Sequence, residues 1–139
     1  MKPEENSFNL LMVDLTHRCN MECANCYIPN REIPDMEVEP LYEFLKKLPN
    51  RIIIRLIGAE ATVRKDLPDI IRNVKKCGHQ VSLTTNGLKL SSKKYVQKLK
   101  KSGLRMVLLS MNGAADPDVY AILENGREYA EMKHKALIN

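Results

Sequence analysis

The chain has 139 residues, 44% of them hydrophobic and 28% charged, which suits one globular domain with a real core and excludes a disordered or low-complexity chain. The formal net charge of +5 is a mild excess, and aromatic residues, at 5%, do not interleave with the lysines, which argues against a nucleic-acid partner. No apolar run reaches membrane-spanning length, and "MKPEENSFNLL" lacks the long apolar core of a secretion signal, so a cytoplasmic protein without a membrane partner is expected.

In chain order, "FNLLMVDLT" (8–16) predicts a strand, followed by a polar, proline-containing loop up to Pro40. Pro40 suits a first helical turn, and Leu41, Phe44, Leu45 and Leu48 recur at helical spacing. "RIIIRLIG" (51–58) predicts a buried β-branched strand. Asp66 then caps a helix with Pro68 in its first turn, Ile70, Ile71, Val74 and Cys77 as its buried stripe, and Gly78 as its stop. "QVSLTT" (80–85) predicts a third strand that leaves through Asn86-Gly87. Ser91 or Ser92 caps a lysine-rich amphipathic helix that Gly103 ends, and "LRMVLLSM" (104–111) predicts a fourth strand. A short helix capped by Asp116 with Pro117 follows, then another from about Arg127 supported by Glu131 and Lys135 four residues apart.

Strands alternating with helices predict an α/β fold with a parallel sheet, four βα units forming either half of a closed barrel or an open sheet. Residues 1–139 are expected to form a single domain. The last helical segment has no further strand after it, so a longer protein truncated on its C-terminal side is expected. In parallel sheets ligands gather at the carboxyl ends of the strands. The segments at those ends are "THRCNMECANCY", "GAEAT", "TTNG" and "SMNG", all polar or glycine-containing, and one rim should carry all four.

Three of the four cysteines fall within "CNMECANC" (19–26), at C-x3-C-x2-C spacing. Such clustering points to metal binding in a reducing compartment rather than to a disulfide framework. A cubane iron–sulfur cluster has four irons, each needing an outer ligand. Cys19, Cys23 and Cys26 can seat three corners and leave one iron open, and an open position separates a site for chemistry from a closed structural site. The alternatives are a zinc site completed by His17, Cys77 or His79, or a cluster with four protein ligands. Cys77 lies on an apolar helical stripe and reads as core; His79 follows a helix end and reads as non-chemical.

The chain resembles the radical S-adenosylmethionine (SAM) superfamily, whose hallmark is C-x3-C-x2-C in the loop after the first strand. "LTHRCNMECANCY" looks like the family's cluster loop, "GAEATVRKDL" like its G-G-E-P segment, and "LTTNG" and "LLSMNG" like segments at the next two strand ends. The flavour is that of the branch containing molybdenum-cofactor synthases and peptide-maturing enzymes. The resemblance implies a partial barrel of the TIM type, of which this chain is a (βα)4 portion. It implies an oxygen-sensitive enzyme with a [4Fe-4S] cluster on Cys19, Cys23 and Cys26 and with SAM on the open iron. SAM would be cleaved reductively to methionine and a 5′-deoxyadenosyl radical that takes a hydrogen from a substrate. A one-electron donor such as flavodoxin or ferredoxin is the implied partner, and the substrate is not specified.

By the same resemblance, Gly58, Ala59 and Glu60 receive SAM's methionyl ammonium, and Thr85 and Asn86 meet SAM or substrate. Ser110 contacts carboxylate or ribose with Asn112 nearby, and Tyr27 and the backbone at Asn25 face adenine. No side chain is assigned as a catalytic acid or base, since the cofactors carry the chemistry. The sequence departs from the family pattern at Asn25, usually aromatic, at Ala59, usually glycine, and at Ala61, usually proline. Alanine at 59 is costly only if that position requires positive φ. A second, different expectation is a truncated or non-catalytic remnant of the fold that binds iron–sulfur or zinc.

Overall fold

The computed structural model describes residues 7–139. Four strands, β1 (Leu10–Asp14), β2 (Ile53–Ile57), β3 (Gln80–Thr85) and β4 (Met106–Leu109), pair in that spatial order, and every pair is parallel. Between and after them lie α1 (Glu39–Leu45), α2 (Leu67–Lys76), α3 (Lys93–Lys101), α4 (Pro117–Glu124) and α5 (Tyr129–Ile138). This is the α/β partial-barrel arrangement, with each predicted strand and helix present and the third strand keeping its expected bounds. The first and fourth strands shorten most, from the expected 8–16 and 104–111 to 10–14 and 106–109.

The register explains the core. Val13, Ile54, Leu56, Val81 and Leu83 alternate onto buried positions and meet Leu41, Leu45, Ile70, Ile71, Val74 and Leu99 from the helices. Ser92 caps α3 by accepting from the Tyr95 backbone N–H, and Asp116 caps α4 by accepting from that of Asp118. Asp66 stands at the N-cap of α2 but makes no side-chain cap bond. Its carboxylate is instead held by Arg64, through Nε at 3.0 Å and Nη2 at 2.7 Å. Two short 3₁₀ turns, Ala61–Val63 and Leu88–Ser91, occupy segments read as loop from sequence.

Residues 15–38 form a long irregular segment that carries the cysteines, and its two ends are tied down by buried charge. Arg64 is 7% exposed and Nη1 donates to the backbone oxygens of Leu15 (2.9 Å) and Met36 (2.8 Å). Asp35 accepts from the Thr16 hydroxyl at 2.6 Å and from Arg18 at 3.0 and 2.5 Å. The Arg18 guanidinium, with Thr16 helping, holds the Asp35 carboxyl below the usual carboxylate range. Among the described residues no helix is long and apolar enough to cross a membrane.

Because the folded pKa of Asp35 is depressed, its stabilising contribution is present above the unfolded carboxylate pKa and is lost as pH falls through the folded value. Asp35→Asn is therefore expected to lower unfolding free energy by about 1 kcal/mol near neutral pH. The deficit should vanish in acid below the depressed pKa. Urea denaturation at the two pH values checks this, and an equal deficit at both contradicts it.

Candidate functional site

All four rim segments converge at the carboxyl ends of the strands. The β1–β2 ladder runs one step past the strands, with the Leu15 N–H donating to the Ile57 oxygen at 3.0 Å. Beyond it, the Ala59 N–H reaches the Thr16 oxygen at 2.8 Å and the Glu60 N–H reaches the Arg18 oxygen at 3.0 Å. Gly58 makes this approach possible, since a Cβ there would stand 2.6 Å from the Thr16 oxygen. The "GAEAT" loop thus zips its backbone onto the first residues of the cysteine loop. Ala59 is not among the positive-φ residues, so alanine replaces the usual glycine without backbone strain there.

Glu60 clasps two strand ends from beneath. It is 1% exposed, and its Oε1 accepts from the Thr62 N–H (3.0 Å), the Thr62 hydroxyl (2.6 Å) and the Thr85 hydroxyl (2.7 Å). Its Oε2 accepts from the Asn86 N–H at 2.7 Å. Asn86 carries the link onward, donating from Nδ2 to Asn20 Oδ1 at 2.8 Å, with Cys19 Sγ 3.7 Å away. A buried carboxylate with this many donors is a satisfied one.

Above the clasp lies a cleft of about 170 Å³. Cys19, Cys23 and Cys26 line it, as do Tyr27, Gly58 and Ala59. Thr85, Asn86, Ser110 and Asn112 complete the expected residues on its wall. Two expected residues stand elsewhere: Asn25 is exposed outside the cleft, and Glu60 is beneath the rim rather than on its surface. Tyr27, 83% exposed, overhangs the edge. The cysteine loop is fastened to α4 by the Ala24 N–H, which donates to the Leu123 oxygen at 2.9 Å.

Burial pushes the Cys23 thiol up, and the negative charge of Glu124 and the neighbouring Cys19 push the same way. Arg31 reaches the next thiol, with Nη2 3.0 Å from Cys26 Sγ. Among the described residues no three His, Cys, Asp or Glu side chains close around a single metal ion. The remaining candidate zinc ligands divide by location. Cys77 and His79 precede β3 at the opposite rim, where Cys77 Sγ contacts the Tyr42 oxygen at 3.8 Å. His79 is buried, taking the Ile52 N–H on Nδ1 at 3.3 Å and donating from Nε2 to the Leu45 oxygen at 2.9 Å. His17 stays near the loop, bound to Asp14 at 3.2 Å and Asn30 at 3.1 Å.

Three charged cleft residues were not foreseen: Arg31, Glu124 and Lys133. Glu124 and Lys133 form a buried ion pair at 2.7 Å. Lys133 also donates to the Ser110 oxygen at 2.9 Å and stands 5.1 Å from the centre of the Tyr120 ring. The available signal was positional: three-residue spacing puts Lys133 on the same helical face as Ala130 and next to Ala136, an apolar stripe.

A model of the radical SAM superfamily matches residues 13–137. The chain belongs to the radical SAM superfamily. It is 31% identical over 147 aligned residues to a 7,8-dihydro-6-hydroxymethylpterin dimethyltransferase of Methanocaldococcus jannaschii, covering 99% of this chain and 28% of that one. It is 35% identical over 127 residues to a GTP 3′,8-cyclase of Peptoclostridium acidaminophilum, covering 85% of this chain and 38% of that one. Among solved structures, Streptococcus suis SuiB bound to precursor peptide SuiA superposes with a TM-score of 0.69 at 20% identity, over 88% of this chain and 28% of SuiB. That likeness bears on the fold. The chain therefore spans between a quarter and two fifths of the length of these three proteins.

Glu60→Gln puts an amide N–H₂ where backbone and hydroxyl donors now converge. A loss of about 1–3 kcal/mol in unfolding free energy is expected from the orphaned donors. Thermal or urea denaturation measures it. A variant as stable as the parent would show that the clasp holds nothing.

Proposed function

We propose that this radical SAM domain seats a [4Fe-4S] cluster on Cys19, Cys23 and Cys26, binds SAM at the open iron, and serves hydrogen abstraction from an organic substrate. The observation that supports this most is the convergence of three thiols and all four strand-end segments on one cleft, with the fourth cysteine at the far rim. The donor set fits the group: thiolate is the usual outer ligand of such clusters, and three of them leave one corner for a chelating small molecule. Held by Cys19, Cys23 and Cys26, such a cluster would supply one-electron reduction of a sulfonium compound bound at its open corner.

The protein's part is placement. Ala24, bonded to Leu123, fixes the loop between Cys23 and Cys26 against α4. Arg31 places a guanidinium donor 3.0 Å from Cys26 Sγ, beside the proposed cluster corner. Gly58 and Ala59 present backbone at the cleft floor, and Glu60 beneath them contributes negative charge on the side proposed for the methionyl ammonium. Thr85 and Asn86 are held rigid by that same carboxylate, so their cleft-facing groups are pre-organised. Ser110, Asn112 and Tyr27 flank the space proposed for the nucleoside. A one-electron donor of the flavodoxin or ferredoxin type is the proposed redox partner.

Anaerobic reconstitution with iron and sulfide, followed by reduction and SAM, tests the reading. The protein should retain close to four irons per chain, and the longest available form of the polypeptide should release methionine and 5′-deoxyadenosine. Cys23→Ala should abolish iron retention, whereas Cys77→Ala should leave it intact. Equal loss in both variants, or a tightly held zinc, would contradict the assignment.

A further inference from the structure

The Glu124–Lys133 pair leaves one polar atom unanswered. Glu124 is 1% exposed and sits at the end of α4, and its Oε1 accepts from Lys133 Nζ at 2.7 Å and from Asn112 Nδ2 at 2.8 Å. Its Oε2 is buried and has no hydrogen-bond partner, the one such side-chain atom among the described residues. A buried acceptor without a donor costs about 1–3 kcal/mol, and more when it carries charge, so an orphan of this kind calls for a partner. Glu124 and Lys133 both line the cleft that the three cysteines line.

We propose that Glu124 Oε2 accepts a hydrogen bond from an uncharged donor of the nucleoside in this cleft, a sugar hydroxyl or the N6 amine of the base. Glu124 is thereby a specificity-determining residue, and Lys133 and Asn112 are its positioning residues. The assignment rests on the SAM-binding reading above. Lys133 decides the charge class. Its ammonium already neutralises the carboxylate from 2.7 Å, so a second cation would be repelled by one while attracted by the other, and a neutral donor meets no such conflict. Lys133 also fixes the carboxylate's rotation: it is anchored to Ser110 on β4's exit and to Oε1, and it is 1% exposed. Asn112 fastens Oε1 from the same side of the cleft. Oε2 is what remains for a guest.

The test uses the reconstituted protein and reads affinity rather than turnover. Dissociation constants are measured anaerobically, without reductant, for SAM and for SAM analogues lacking the 2′-hydroxyl, the 3′-hydroxyl or the N6 amine. In the parent protein one of the three analogues should bind about tenfold more weakly than SAM, the loss of one charge-assisted hydrogen bond. Glu124→Gln, which turns a donor toward the guest, should weaken SAM by at least that factor and bind SAM and that analogue alike, with iron content unchanged. Should Glu124→Gln fold poorly, Glu124→Asp keeps the charge beside Lys133 yet withdraws the oxygen, and the same loss of discrimination is required of it. Equal affinity of parent and variant for SAM, or a parent that binds all three analogues as well as SAM, overturns the inference and leaves the cofactor reading standing. A reconstituted parent that binds no SAM overturns both.

Discussion

Parallel pairing of the four strands is the constraint from which the site follows. A parallel neighbour can be reached only by a crossover, so each strand must leave the sheet at the same edge. The cysteine loop, "GAEAT", Thr85-Asn86 and Ser110 are up to about ninety residues apart in sequence yet share one rim for that reason alone. Hydrogen bonds then convert proximity into geometry. Backbone bonds from Ala59 and Glu60 zip the first two exits together, Glu60's carboxylate joins the second to the third, and Lys133 joins the fourth to α4.

Buried charge is concentrated at this rim. Glu60, Glu124 and Lys133 are each about 1% exposed, and Arg64 lies just behind them at 7%. Burying ions costs several kcal/mol each unless their partners are well placed, and hydrophobic replacements are often neutral or better for stability alone. Two of these groups are fully met: Glu60 by four donors' bonds and Arg64 by two carbonyls and Asp66. Glu124 is met on one oxygen only. The contrast separates polar groups that hold the rim from one that is poised for something else.

Much of this was legible in the chain itself. The 3.6 and 2.0 periodicities located each strand and helix, and glycine and proline marked their ends, because those signals depend on local sterics and on burial of one face. The convergence of Cys19, Cys23 and Cys26 on one cleft was legible because the three lie on one short loop. What escaped was set by distant partners. Asp66 looked like an N-cap, but Arg64 two residues earlier takes its carboxylate, and nothing in the local pattern ranks those two competitors. The burial of Glu60 could not be read locally, because it depends on Thr85 and Asn86 twenty-five and twenty-six residues on. Lys133 could not be singled out locally, because its partners Ser110 and Glu124 both lie outside α5.

The most direct measurement of the central claim is Mössbauer spectroscopy of the iron-57-reconstituted protein before and after SAM is added. Three thiolate corners and one open corner require that a single iron of the four change its isomer shift and quadrupole splitting on SAM addition while three stay fixed. A spectrum in which all irons are equivalent and unmoved by SAM, showing that side chains already cap every corner, would contradict the account.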